Sequence, residues 1–203
     1  MAAPDFAQAW QYALHRLEHE LPDYLTYHCI EHTRDDVVVA VNLLAERMGV
    51  TGEQHMLLET GAYFHDLGFI YQVQGHESVG VAIAREVLPA FGYSDAQIDV
   101  IEGIIMATQM PQQPEGLLQE IIADADMDSL GRADFFEVAA RLRAEMAVLN
   151  QPMDDIEWYT FEITFLSNHH YFTEAARELR DAQKQRNLEE LRHRLTQARS
   201  AAD

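Results

Sequence analysis

The chain predicts an all-α protein on three grounds. Apolar residues recur at helical spacing through most of its 203 residues, the breaks between these segments are short and rich in Pro, Gly or Asn, and no run shows strand alternation or a hairpin signal. In "PDFAQAWQYALHRLEHEL", Phe6, Trp10, Ala13, Leu14 and Leu17 form one stripe that ends before Pro22. "TRDDVVVAVNLLAERMG" starts at Thr33 and stops at Gly49; its β-branched run suits a strand, but Leu43, Leu44 and Arg47 carry it past strand length. Thr51 with Gln54, and Ser94 with Gln97, fit the capping-box pattern ahead of the periodic segments Glu53 to Asp66 and Asp95 to Thr108. Further helices are expected over Glu77 to Phe91, Glu115 to Asp128, Ala133 to Leu149, Asp154 to Ser167 and Glu174 to Gln197, joined by "GVTGE", "MPQQPEG" and "LNQPMDD". The last of them is polar nearly all round after Leu179, so it projects, frays or packs on a partner, which leaves a homo-oligomer open. The expected organisation is one compact domain over 1–203, with its core in about residues 24–150 and a C-terminal helical extension in about 154–203.

Composition narrows the partners. At 48% hydrophobic and 24% charged the chain reads as an ordinary globular protein. Its 34 acidic residues against 14 basic ones give a formal net charge of -20, which repels phosphate backbones and anionic lipid. Neither a nucleic-acid polymer nor a membrane is therefore an expected partner, whereas a small anion is admissible if a metal or a local basic cluster reverses the sign inside a pocket. Cys29 is the only cysteine, so no intrachain disulfide forms, and it reads as a buried small side chain. "MAAPDFAQAW" lacks the basic start and apolar stretch of a signal peptide, and the cytoplasm is the expected location.

The residues that carry chemistry are histidines and carboxylates. His28 and His32 stand in "YHCIEHT", His65 and Asp66 in "AYFHDLGF", His76 in "GHES", and Asp124, Asp126 and Asp128 in "ADADMDSLG". Imidazoles with carboxylates suit a borderline divalent ion such as Mn, Fe, Co, Ni or Zn. Adjacent helical residues point about 100° apart, so His65 and Asp66 share an ion only near a helix end, which Gly68 supplies.

"YHCIEHT…FHDLG…DAD" resembles, in that order, the signature of the HD-domain superfamily of metal-dependent phosphohydrolases: a His, then His-Asp, then a distant Asp. The resemblance spans about Tyr27 to Phe135, and "HHYFTEAARELRDAQKQRNL" looks like the tail of a bacterial subgroup of small stand-alone members. It implies a helical bundle holding one divalent transition metal ion on His32, His65, Asp66 and Asp126, with Asp124 as the alternative last ligand. Members with two metals have further histidines where this chain shows "IIMATQ" with Thr108, a departure that argues for a single ion. It also argues against the oxidative di-iron chemistry of some relatives.

The implied activity is hydrolysis of a small phosphorylated substrate, a nucleotide or phosphodiester, by water activated on the ion. Asp66 inherits the family's role of holding or deprotonating that water, with Glu31 or Glu77 as weaker candidates. His28 is expected beside the site; His76 either faces substrate or begins the next helix. For the substrate's charge the candidates are Lys184, Arg34 and Arg132. Lys184, the only lysine, reads either as phosphate-facing, which the resemblance of the tail supports, or as an exposed helix lysine paired with an acidic neighbour. The competing function is a metal-bound module of this family that senses a nucleotide or scaffolds a partner without turnover.

Overall fold

The computed structural model describes residues 4–202; Met1, Ala2 and Ala3, which fall in the N-terminal stretch read above, and Asp203 lie outside the described residues. Nine α-helices, three 3-10 turns and one π-helical segment make up the regular structure, and no strand occurs among the described residues. The protein is all-α, and none of these helices is long and apolar enough to cross a membrane. Contacts divide the chain into two compact units: residues 4–23 with His28–Asp126, and Tyr24–Tyr27 with residues 127–202.

The first unit contains α1 (Phe6–Glu20), α2 (Val38–Arg47), α3 (Gly52–Phe64), α4 (His76–Val87), α5 (Asp95–Met106) and α6 (Leu117–Asp126). Asp5 caps α1 by accepting from the Gln8 backbone N–H at 3.1 Å, and the helix buries Ala9, Ala13 and Leu17. The centre is α3, which packs on α1, α2 and α5 and buries nearly every residue of its second half. Phe64, Leu58, Ile101, Ile104 and Ile121 are fully buried, each contributing roughly 1.5–3 kcal/mol of apolar transfer energy. At Ser94 the expected capping box forms in both directions. Thr51 adopts the extended backbone of an N-cap, yet its side chain makes no capping bond.

The second unit contains α7 (Phe135–Val148), α8 (Asp155–Asn168) and α9 (Glu174–Ala202), preceded by a 3-10 turn at Asp128–Gly131. Asp154 and Glu157 form a reciprocal capping box at the start of α8. Helices α8 and α9 pack on each other, and α9 also packs on the 3-10 turn. Leu130, Phe135, Trp158, Leu166, Leu188 and Leu191 are the apolar core. Asn187 on α9 donates to the carbonyls of Leu130 and Arg132, both at 2.9 Å, and Arg180 holds the buried Asp128 carboxylate at 2.6 and 3.1 Å. Asp128, expected as the end of a helix, thus belongs to the turn, and α6 stops at Asp126.

Candidate metal centre

Three segments of the first unit bring four side chains together. His32 opens a π-helical segment, His32–Val37, that runs on into α2. A π turn carries one extra residue, so it offsets His32 by about 100° from the register that α2 alone would impose. The doublet lies where α3 gives way: His65 keeps helical dihedrals, whereas Asp66, at φ -99 and ψ 1, has left the helix ahead of the 3-10 turn Leu67–Ile70. This break frees the two side chains from the angle that separates neighbours within a helix. Asp126, the last residue of α6, supplies the fourth group.

Glycines permit the close approach. A Cβ on Gly68 would stand 1.9 Å from the His76 carbonyl oxygen, so only glycine lets the start of α4 lie against this turn. One turn further along α4, a Cβ on Gly80 would stand 3.1 Å from the Phe64 carbonyl oxygen.

His32, His65 and Asp66 are each at most 4% exposed and present ligand atoms within 4.8 Å of one another, a buried group able to hold a metal ion. His32 Nε2 lies 3.7 Å from Asp66 Oδ2 and 3.1 Å from Asp126 Oδ1; His65 Nε2 lies 3.2 and 3.7 Å from the same two oxygens. His65 Nε2 and Asp66 Oδ2 are buried and make no hydrogen bond, as Nε2 and Oδ2 approach without the required alignment. The other ring nitrogen of His65 lies 2.7 Å from the Ala62 carbonyl oxygen. Since a carbonyl only accepts, Nδ1 carries the hydrogen, and the neutral ring turns its Nε2 lone pair towards the cluster, as a metal-binding imidazole requires.

Electrostatics in the absence of a cation differ. Burial disfavours the charged form of His65, but the Asp66 and Asp126 carboxylates outweigh it and raise its pKa to about 9. Burial likewise opposes ionisation of Asp66, yet His65, His28 and His32 overcome it and hold this carboxyl far below the ordinary range. The pair therefore keeps a proton on His65 that an incoming cation must displace.

His76 stands beside the doublet, with Nε2 3.6 Å from Asp66 Oδ1 and 3.7 Å from Glu77 Oε1. Its Nδ1 donates to the Val73 carbonyl at 3.0 Å, and Phe69 stacks against both His76 and His28, with centroids 3.9 and 4.1 Å away. Glu77 is buried, and its Oε2 has no partner. The remaining candidates lie elsewhere. Asp124 is buried on α6 two residues before Asp126, about 200° round the helix from it. The exposed Arg34 directs its guanidinium fork at Asp35, at 2.8 and 2.7 Å. Arg132, in the second unit, donates through Nε to Asp134 at 2.9 Å. Lys184 also belongs to the second unit, where it is 4% exposed rather than a solvated helix lysine.

No family model matches the chain, and no curated protein or solved structure does either. Sequence reasoning passed over Phe69 and Thr33, whose hydroxyl next to His32 is buried without a partner. Neither carries a sequence signal, since an aromatic after glycine and a threonine at a helix start are ordinary packing and capping residues.

Proposed function

We propose that the protein is a metal-dependent phosphohydrolase of the HD type, acting on a small phosphate ester such as a nucleotide or phosphodiester. In this reading His32, His65, Asp66 and Asp126 are the ligands of one divalent ion, with Mn, Fe, Co, Ni and Zn as candidates. The supporting observation is the closed ring of alternating nitrogen and oxygen atoms, with sides of 3.1, 3.7, 3.2 and 3.7 Å. Ligand atoms about 2.1 Å from a common ion stand about 3.0 Å apart at a right angle and about 3.4 Å apart at the tetrahedral angle. The sides of the ring lie within a few tenths of an ångström of these separations, His32, His65 and Asp66 each offer a ligand atom within 4.8 Å of the other two, and the buried, bare His65 Nε2 and Asp66 Oδ2 are the atoms an ion would satisfy.

Two imidazoles and two carboxylates balance a divalent charge, and at octahedral coordination they would leave positions open to water and substrate. A bound ion supplies the positive charge that brings the pKa of a water down towards about 7 and offsets that of the phosphate. The protein's own contribution centres on Asp66. Its Oδ2 belongs to the ring, and we assign its Oδ1 to take the proton of the attacking water. His76 Nε2, 3.6 Å from that oxygen, passes the proton on to the leaving alcohol. The water oxygen bonds to phosphorus as the ester P–O bond breaks, giving an alcohol and a phosphate. Stacking on Phe69 and the bond to Val73 hold the His76 ring in place for this task.

The test is metal analysis of the purified protein, followed by phosphatase and phosphodiesterase assays with Mn, Co, Ni and Mg added back. Turnover should depend on the added ion and fall by at least about a hundredfold in Asp66→Ala and His65→Ala. Activity untouched by His65→Ala overturns the mechanism. Tight nucleotide binding with no turnover under any metal would instead make the protein a sensing module.

A further inference from the structure

The second unit carries a half-open cavity of about 490 Å³ lined by the end of α8, by His169, His170 and Tyr171, and by one stripe of α9. That stripe presents Arg177, Asp181, Lys184, Leu188 and Arg192 at helical spacing. Three cations thus line it against one carboxylate, in a chain with 34 acidic and 14 basic residues.

Lys184, the chain's single lysine, is buried; its Nζ donates to the His169 carbonyl at 2.9 Å and lies 4.7 Å from the Tyr171 ring centroid. It also approaches His169 Nδ1 at 3.2 Å and Asp181 at 3.7 Å. An ammonium group has donors only, so Nδ1 must accept. Burial, Lys184 and His170 together hold the His169 pKa down at about 3, so the ring is neutral and its one hydrogen sits on Nε2. That Nε2–H is buried and has no acceptor. Arg192 faces the same cavity from solvent, and among the described residues no hydrogen bond or ion pair engages its guanidinium. Arg177, by contrast, is committed to the carbonyls of Tyr171 and Phe172 at 3.1 and 2.7 Å, which anchors the connection carrying His169.

We propose that this cavity binds the oxyanion group of a small ligand, a phosphate or a carboxylate, through the His169 Nε2–H and the Arg192 guanidinium, with Lys184 as the positioning residue that fixes the His169 tautomer. A donor buried without an acceptor is costly, and an anion is the partner that satisfies it while being neutralised by the surrounding cations. The proposal stands on the second unit and does not depend on the hydrolase reading.

The experiment uses the full chain dialysed against EDTA, so that phosphate cannot report on a loaded metal centre. Inorganic phosphate and acetate are titrated separately at constant ionic strength, following the ring ¹⁵N and Nε2–H signals of His169. Saturable binding with a shift at His169 is expected, weakened about tenfold in Arg192→Gln, an exposed position where the fold is not at stake. Response to phosphate alone identifies a phosphorylated ligand, to acetate alone a carboxylate, and to both a general oxyanion site. Lys184→Met should leave the ring ¹⁵N spectrum showing mixed tautomers, a readout that loss of packing alone does not move. Absence of saturable binding by either anion, or binding that both Arg192→Gln and His169→Phe leave unchanged, overturns the site.

Discussion

In the first unit the bare buried ring atom is His65 Nε2, beside carboxylates and an imidazole; in the second it is His169 Nε2, on a ring whose Nδ1 faces Lys184 and which lines a cavity together with Arg192. The same atom is unpartnered in both, and its chemistry is opposite. His65 gives its Nδ1 hydrogen to a carbonyl, so its Nε2 offers a lone pair to any cation that displaces the proton held there by Asp66 and Asp126. His169 accepts at Nδ1 from an ammonium, so its Nε2 offers a hydrogen. The partner of Nδ1 therefore decides whether the far side of the ring suits a cation or an anion. A bare buried histidine nitrogen says that something is missing, and the opposite nitrogen says of which sign.

The largest effect that can break this contrast is the response of stability to metal. An ion that binds only the folded protein stabilises it by about 4 kcal/mol at a free concentration a thousand times its Kd. Urea unfolding with saturating Zn or Mn against EDTA should show a gain of this order. The gain should vanish in Asp66→Ala and survive in Arg192→Gln. Equal loss in both variants would mean that the two clusters are not chemically separate.

A second test separates the units by pH. His65 has its pKa raised to about 9 in the folded protein, against about 6.5 in an unfolded chain, so the folded state holds the extra proton between these values. Its contribution is complete below about pH 6.5 and is lost as pH rises through 9. In the second unit, burial pushes the Glu162 carboxyl on α8 up to about 7, against about 4.3 unfolded. Here too the folded state binds the additional proton, so stability falls as pH rises from about 4.3 to 7, by up to roughly 4 kcal/mol. The windows overlap only between about pH 6.5 and 7. Glu162→Gln should flatten the acidic window alone, and saturating metal, which displaces the His65 proton, should flatten the alkaline one alone. Urea midpoints across pH 4.5–9 in EDTA and in metal check both.

These contrasts also mark what was legible beforehand. The helices were, because apolar spacing is a local signal, and so was the doublet, because His65 and Asp66 interrupt an apolar run. Capping was legible only in part: Ser94 and Gln97 close their box, while Thr51, with the same spacing to Gln54, makes no such bond. The π turns at His32 follow from how that segment fits against α3 and α6, which its composition does not encode. Asp128 looked like part of a helix because its partner, Arg180, lies 52 residues further on. The burial of Lys184 likewise depends on Tyr171 and His169 folding over it.

The smallest expected effect tests whether a bare buried atom is always a sign of function. Thr33 Oγ1 has no partner, like His65 Nε2, and follows the ligand candidate His32 directly. Yet a hydroxyl carries its own hydrogen and lone pairs and is a weak ligand beside imidazole and carboxylate, so its exposure to the apolar interior reads as a plain cost. Thr33→Val keeps the branched shape and removes the polar atom. It should stabilise the protein by about 1 kcal/mol and leave metal affinity unchanged, as read by urea unfolding and by metal titration. A loss of metal affinity in Thr33→Val would place the hydroxyl among the groups that orient the centre, and the distinction between an unfinished site and an unsatisfied atom would have to rest on more than the identity of the donor.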